Sequence, residues 1–553
     1  MQLLGGLTNT SNPPPTTEHE KEDHFSKEQN QQQQQQHDHF SFDNLMFQDF
    51  YFEPALEPKA AFQEPKEQKN RGVESSQFFG FNKHLVGSNK QVPPSSLASL
   101  DLLKNYGSRF KRPRGQNILS KTKTCASPLK LSTEDILRVA GARFIQHSSS
   151  TQWQDNLCTP MHPYANGFSG FSEEEIKDIE LAQLLLAAAE RVSCQQFERA
   201  SFLLQNFQGN SPHHGSAVQR VIFHFAQALQ ERINKENGTT LKGSDERVKE
   251  RHLIELLEVD TNITILCHQK MPFYQVMQFA GVQAILENVA SGTKIHLINI
   301  NIGCGVMCTG LMQALSERQE NPVEILKITA VGVANKTKIE ETGKRLMSFA
   351  ESLNLPFSYN MIFVTDMMEI KVEQFDVEDD EAVAVYSPYF LRSLVSDSDS
   401  LENLMKVLRK IKPNIMINLG VEANHNSPSF VNRFVEALFY YSAYFDCLDT
   451  CMKEEHECRM RIEEMLSEKI RNIVAMEDRE RTVRSVKIDV WRRFFARYRM
   501  VETRLSESAV YQANLVAKKF ACGNSCTIDK NGKCLLIGWK GTPIHSISAW
   551  KFP

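Results

Sequence analysis

A β-branched, apolar run from Ile295 to Ile302 leads straight into Gly303-Cys304-Gly305, the point where this chain comes nearest to a ligand-binding pattern. In a nucleotide-binding α/β fold, glycines placed there let the backbone approach a ligand at a helix N-terminus. The spacing is wrong for a dinucleotide, because the third glycine, Gly310, comes too late for G-x-G-x-x-G. Nor does a Gly-Lys-Ser/Thr follow, as a phosphate-binding P-loop requires. A nucleoside ligand such as S-adenosylmethionine also wants an acid after the second strand, to hold ribose hydroxyls. That strand ends Val333-Ala334-Asn335, without the acid. No G-x-S-x-G elbow occurs, and His456-Glu457 has no second histidine at zincin spacing. The expectation is a scaffold that uses no cofactor and is not an enzyme, although a fold alone never fixes function.

Metal chemistry has two candidate groupings: Cys447, Cys451, His456 and Cys458, and separately Cys522, Cys526 and Cys534. Neither contains the paired C-x-x-C knuckles of a structural zinc site. Cys447 and Cys451 close an amphipathic helical pattern, where cysteine commonly packs as a small hydrophobe. Packing is therefore expected over metal binding. The 12 cysteines of the 553 residues read as reduced thiols, since Met1 to Asn12 lacks a signal-peptide layout. No apolar run approaches the roughly 20 residues that cross a bilayer, and the formal net charge of -4 carries no global basic excess. A cytosolic or nuclear protein is expected.

The elements that would position these residues fall into two kinds. Ser172 and Glu175 make a capping box, followed by Leu181, Leu184, Leu185, Ala188 and Val192 at helical spacing. A second helix carries Ala200, Leu203, Leu204 and Phe207, and a third carries Val218, Val221, Ile222, Phe225 and Leu229. Consecutive amphipathic helices imply a helical bundle or cap. Leu181 to Leu185 also fits an L-x-x-L-L partner motif, but these leucines are the helix's only apolar stripe, which favours a buried face.

From Lys294 the period changes. Strands are predicted at 295–302, 325–334, 360–364, 382–386 and 414–419, with helices between them at 311–318, 338–353 and 401–409. Another helix presents Phe430, Phe434, Leu438, Tyr441 and Phe445. Alternation of this length implies a mostly parallel sheet covered on both faces. The Asn531-Gly532 turn then introduces antiparallel strands at 534–539 and 544–550.

Ahead of the ordered pattern, Gln31 to Gln36 form a glutamine run amid Asn, Glu, Ser and Pro, a composition unable to offset its own ordering entropy. Within it, Ser41 to Glu53 mixes Phe42, Leu45, Met46, Phe47, Phe50, Tyr51 and Phe52 with acids, either a partner-binding island or a sticky stretch of linker. Arg109, Lys111, Arg112 and Arg114 suit a nuclear-import signal or a solvated linker.

From about Ile179 to Pro553 the chain resembles the plant-specific GRAS family. The helices from Ile179 to Ile233 look like its first leucine-rich region, and Ile295-His296-Leu297-Ile298-Asn299 stands where its VHIID core lies. Leu311-Met312-Gln313-Ala314-Leu315 matches the helix downstream. Pro413, Arg433-Phe434, Glu436-Ala437-Leu438, Tyr440-Tyr441-Ser442 and Phe445-Asp446 look like the PFYRE region, continued by Asn472 to Ala475 with Glu477, Glu480 and Arg481. Gly538-Trp539 and Ser548-Ala549-Trp550 match the terminal SAW motif. There are departures: Asn299 replaces the aspartate of VHIID, Met307-Cys308 replace Gln-Trp, and Ser485 stands where a histidine is common. The tail holds no Asp-Glu-Leu-Leu-Ala run, so degradation triggered through that motif is not supported, and the DELLA-like and SCARECROW-like branches stay open.

The resemblance implies a Rossmann-like, methyltransferase-like α/β core without enzymatic activity, with an α-helical cap, preceded by a disordered tail over 1–170. The GRAS domain would span 171–553, divided into cap (171–290), VHIID-like (291–412), PFYRE-like (413–505) and SAW (506–553) regions. It further implies a nuclear transcriptional regulator working through DNA-binding factors and other GRAS proteins, as a homo- or heterodimer, with DNA reached indirectly. The candidate partner surface is Leu181, Leu184, Leu185, Leu203 and Leu204. The motif residues are His296, Asn299, Arg433, Glu436, Trp539 and Trp550, with both tryptophans expected to be buried. The alternative is direct DNA contact through residues 481–504, where Arg484, Arg492, Arg493 and Arg497 would meet phosphates. Arg492, Arg493, Arg497 and Arg499 equally suit the solvated side of a helix that buries Trp491 and Phe495.

Overall fold

The computed structural model describes residues 131–149, 171–207, 215–238 and 261–553. The helical part comprises α1 (Thr133–Ser149), α2 (Glu173–Ser193), α3 (Phe197–Leu204), α4 (Ala217–Glu236), α5 (Thr261–Lys270) and α6 (Pro272–Asn288). The α/β part follows: β1 (Lys294–Ile300), α7 (Val306–Ser316), β2 (Ile325–Gly332), α8 (Lys336–Ser352), β3 (Phe357–Phe363), β4 (Ala382–Pro388), α9 (Ser398–Ile411) and β5 (Ile415–Val421). Then come α10 (Phe430–Cys451), α11 (His456–Val474), α12 (Ile488–Arg497), β6 (Val501–Thr503), α13 (Glu507–Lys519), β7 (Cys526–Asn531), β8 (Cys534–Trp539) and β9 (Thr542–Lys551).

The strands form a 9-stranded sheet in the order β3-β2-β1-β4-β5-β9-β8-β7, with β6 also paired to β9. The first five are parallel, and β9 joins β5 antiparallel with Ile417 opposite Ala549. This is the Rossmann-like core that the resemblance implies. Its strands are near-continuous apolar runs because both faces are covered. Ile295, Leu297, Tyr386 and Ile417 point into a core shared with the cap, whereas Ile298, Val385, Met416 and Trp550 point into a second core under α9 and α12.

The capping box at Ser172 is present in full: its hydroxyl accepts from Glu175 N at 3.2 Å and Glu175 Oε2 accepts from Ser172 N at 2.8 Å. Ordered structure nevertheless begins before the boundary drawn at 171. Helix α1 buries Ile136, Leu137 and Ala140 against the main core, and Leu131 N donates to Glu175 Oε1 at 3.0 Å. A Ser132-x-x-Asp135 cap starts it, with Asp135 N donating to Ser132 Oγ at 3.2 Å, and that signal is readable in the sequence. The glutamine run, the Ser41 to Glu53 island and the Arg109 to Arg114 cluster lie outside the described residues. Among those described, no helix is long and apolar enough to cross a membrane.

Candidate functional site

Strand order reverses between β1 and β4, so the crevice beyond their carboxyl ends is where an open α/β sheet ordinarily takes a ligand. Here it is packed with protein. Asn299, fully buried, donates from Nδ2 to Cys308 Sγ at 3.5 Å, so the amide that replaces an acid rests on a thiol. Gly303 and Gly305 hold positive φ (54° and 80°), which delivers the chain sharply into α7. The close approach that this permits is toward protein. A Cβ on Gly305 would lie 3.1 Å from Thr342 Cγ2, Thr342 Oγ1 donates to Gly303 O at 3.0 Å, and Gln278 Nε2 donates to Val306 O at 3.0 Å. Met307 and Cys308 are buried in the main core. At the end of β2, Asn335 caps α8 by accepting from Lys338 N at 3.1 Å, the ordinary work of an N-cap asparagine.

The leucines proposed as a partner surface are mostly core. Leu181, Leu185 and Leu204 are buried, and Leu184 and Leu203 are half-buried against the same cluster. The reason is crowding: α1, α3, α4 and α10 all pack on α2, so a single leucine stripe is consumed inside the cap. Among the described residues of the cap, Phe202 on α3 is 53% exposed and Phe279 on α6 is 41% exposed.

The basic segment divides in the same way. Arg484 is buried, and its guanidinium donates to Arg481 O and to Asn426 Oδ1, each at 3.3 Å. Arg492 forks onto Glu502 at 3.0 and 3.1 Å and reaches Asp489 at 2.7 Å, so its charge is neutralised in place. Arg493 and Arg497 are exposed, with Arg497 Nη2 3.7 Å from Glu402 Oε1. Trp491 and Phe495 are buried beneath them, as the solvated-helix alternative has it.

The motif residues are structural anchors. His296 bridges Glu381 Oε2 and Thr329 Oγ1, each at 2.8 Å, and burial holds its pKa below the usual value. Fully buried Arg433 donates to Ile473 O and Ser427 O, each at 2.9 Å, and pairs with Glu477. Beside it, Arg481 donates to His425 O at 3.0 Å, and burial, then the Arg433 and Arg484 charges, lower its pKa to about 9. Glu436 accepts from Asn424 N at 3.3 Å and faces Lys487 Nζ at 3.2 Å. Together these side chains clamp the loop after β5 to the segment after α11. Trp539 and Trp550 are both buried; their indole nitrogens donate to Asp446 Oδ2 at 2.7 Å and Ser548 Oγ at 2.9 Å. Asp446 also accepts from Thr133 N at 3.4 Å and pairs with Lys540 at 2.6 Å, a junction of α1, α10 and the terminal hairpin. Sequence matching marked Asp446 without showing that role, because its partners lie far away along the chain.

Among the described residues, no group of three or more His, Cys, Asp or Glu side chains is arranged to hold a metal ion. Cys458 and Cys534 sit apart from the sulfur contacts that join Cys447, Cys451 and Cys522.

Residues 181–551 match the GRAS domain family. Similar relatives include DELLA protein RGL1 from Arabidopsis thaliana, 28% identical over 374 residues, covering 68% of this chain and 70% of the relative. GRAS family protein RAD1 from Medicago truncatula is 29% identical over 381 residues, covering 68% and 72%. The crystal structure of SCL7 in Oryza sativa superposes with a TM-score of 0.57 at 24% identity, over 67% of this chain and 99% of that one, a likeness of fold.

Proposed function

The chain belongs to the GRAS domain family of plant regulatory proteins, and from that premise we propose that it regulates transcription in the nucleus without catalysis, through complexes with DNA-binding factors and other GRAS proteins. The observation that carries this reading is the packed crevice. Where the sheet topology offers a ligand site, an amide on a thiol, two buried side chains of α7 and the contacts from Gln278 and Thr342 occupy it. A domain with its ligand crevice filled by its own core retains surfaces, and surfaces recognise macromolecules.

The partner surface is assigned to the exposed side of the cap around Phe202, with the leucines of α2 and α3 acting from beneath as its support. A half-exposed phenylalanine is the kind of anchor that an interface desolvates. The test is recovery of nuclear complexes on the full chain and on Phe202→Asp. The native protein is expected to retain DNA-binding regulators, and the variant to lose them while melting at the same temperature, because a carboxylate at an apolar contact is costly only once the contact forms. Equal recovery by both proteins would place the surface elsewhere. Direct DNA contact has weaker support, since Arg484 and Arg492 are already engaged within the protein.

A further inference from the structure

Cys451 is the last residue of α10, and Cys522 lies just after α13, next to the tight turn that opens β7. They are 71 positions apart in the chain, yet their sulfurs stand 3.1 Å apart and both residues are half-buried. On the inner side, Cys447 Sγ lies 3.7 Å from Cys451 Sγ in the fully buried core, and Cys526 begins β7. We propose that Cys451 and Cys522 are an oxidative modification site, a thiol pair that hydrogen peroxide converts into an intramolecular disulfide fastening α10 to the start of the edge hairpin of the sheet.

A disulfide needs its sulfurs about 2.05 Å apart, so closure is a movement of roughly 1 Å along a contact already made. Cys451 and Cys522 are both half-buried whereas Cys447 is buried, so a small oxidant reaches this pair, and the step is written with Cys522 as the sulfur attacked first. Its proton leaves to water, and the thiolate attacks one peroxide oxygen. The O–O bond breaks, one water is released, and a sulfenic acid remains. The Cys451 sulfur, losing its own proton, attacks the Cys522 sulfur; the S–O bond breaks and a second water leaves. Two thiols are oxidised by two electrons and one hydroperoxide is reduced. In the resting protein the sulfur–sulfur contacts, then burial, hold both thiols above their ordinary pKa. The thiolate, which is the reacting form, is therefore scarce and the oxidation slow, so it needs peroxide in the millimolar range.

The strand this bond would fasten, β7, is the outer edge of the sheet. Closing a loop of that length restricts the unfolded chain and should raise the melting temperature by about 5 °C for a domain of this size. The test uses the full chain, fully reduced and then exposed to millimolar hydrogen peroxide. Remaining thiols are alkylated, and the protein is digested and mapped by mass spectrometry without reduction. The expected result is a peptide pair joined through Cys451 and Cys522, with a rise in melting temperature that dithiothreitol reverses and Cys522→Ala abolishes. Should that variant fold poorly, the map of the native protein decides alone. Recovery of both cysteines as alkylated thiols or sulfinic acids, or joining of a different pair, would overturn the proposal.

Discussion

The crevice beyond β1 and the clamp around Arg433 are both buried, both polar and both formed where a parallel strand runs out into a loop, but neutral amides line the first and charged guanidinium groups the second. In the crevice, Asn299 Oδ1 and Gln278 Oε1 are buried and accept no hydrogen bond from the described residues, and Asn299 touches a thiol at 3.5 Å. In the clamp, charged donors of Arg433, Arg481 and Arg484 are aimed at carbonyl oxygens of Ile473, Ser427, His425 and Arg481, with Arg481 Nε alone of these left without an acceptor among the described residues. A crevice packed with core side chains can leave an amide half satisfied at small cost. A cluster of buried guanidinium groups endures only while its acceptors stay in place, because an uncompensated buried charge is far more costly than a neutral dipole.

Truncating one side chain in each region separates the two most clearly. Arg433→Ala should cost about 3 to 5 kcal/mol, leaving Glu477 without its inner partner and two carbonyls without donors. Asn299→Ala should cost about 1 kcal/mol, since it removes a weak sulfur contact together with an unmet acceptor. Chemical denaturation of both variants measures this, and equal losses would erase the distinction.

A second effect, somewhat smaller, comes from the rim of the clamp. Burial raises the pKa of Glu422 from 4.5 to about 7, while its Oε2 accepts from Ile488 N at 3.2 Å. The folded protein thus keeps a proton that the unfolded chain releases at lower pH. Stability from this group is present below pH 4.5 and is lost as pH rises to about 7, amounting to about 3 kcal/mol. Buried histidines such as His545, lowered to about 3, act in the opposite direction, so the informative quantity is a difference. Glu422→Gln minus native stability should climb with pH across that window, and a flat difference would show that Glu422 ionises freely.

Much of this was legible in residue patterns. The switch from helical spacing to β-branched runs at Lys294, the Ser172 box and the Asn531-Gly532 turn located the cap, the sheet and its terminal hairpin, because each is a local signal. What escaped was set by distant contacts. Helix α1 had a readable cap at Ser132, but its burial depends on α2 and α10. Leu181 and Leu185 have the same spacing whether one helix or four surround them. Arg484 and Arg492 look like a basic face until Asn426, Asp489 and Glu502 are seen to neutralise or bond them.

The smallest expected effect concerns the central claim, that the protein reaches genes through partners. Purified alone, the full chain should show no sequence-selective binding to duplex DNA when salt is varied, and Arg493→Glu with Arg497→Glu should leave its recovered complexes unchanged. Selective binding by the lone protein that weakens steeply with salt, as phosphate contacts demand, and disappears in the arginine variant would contradict it.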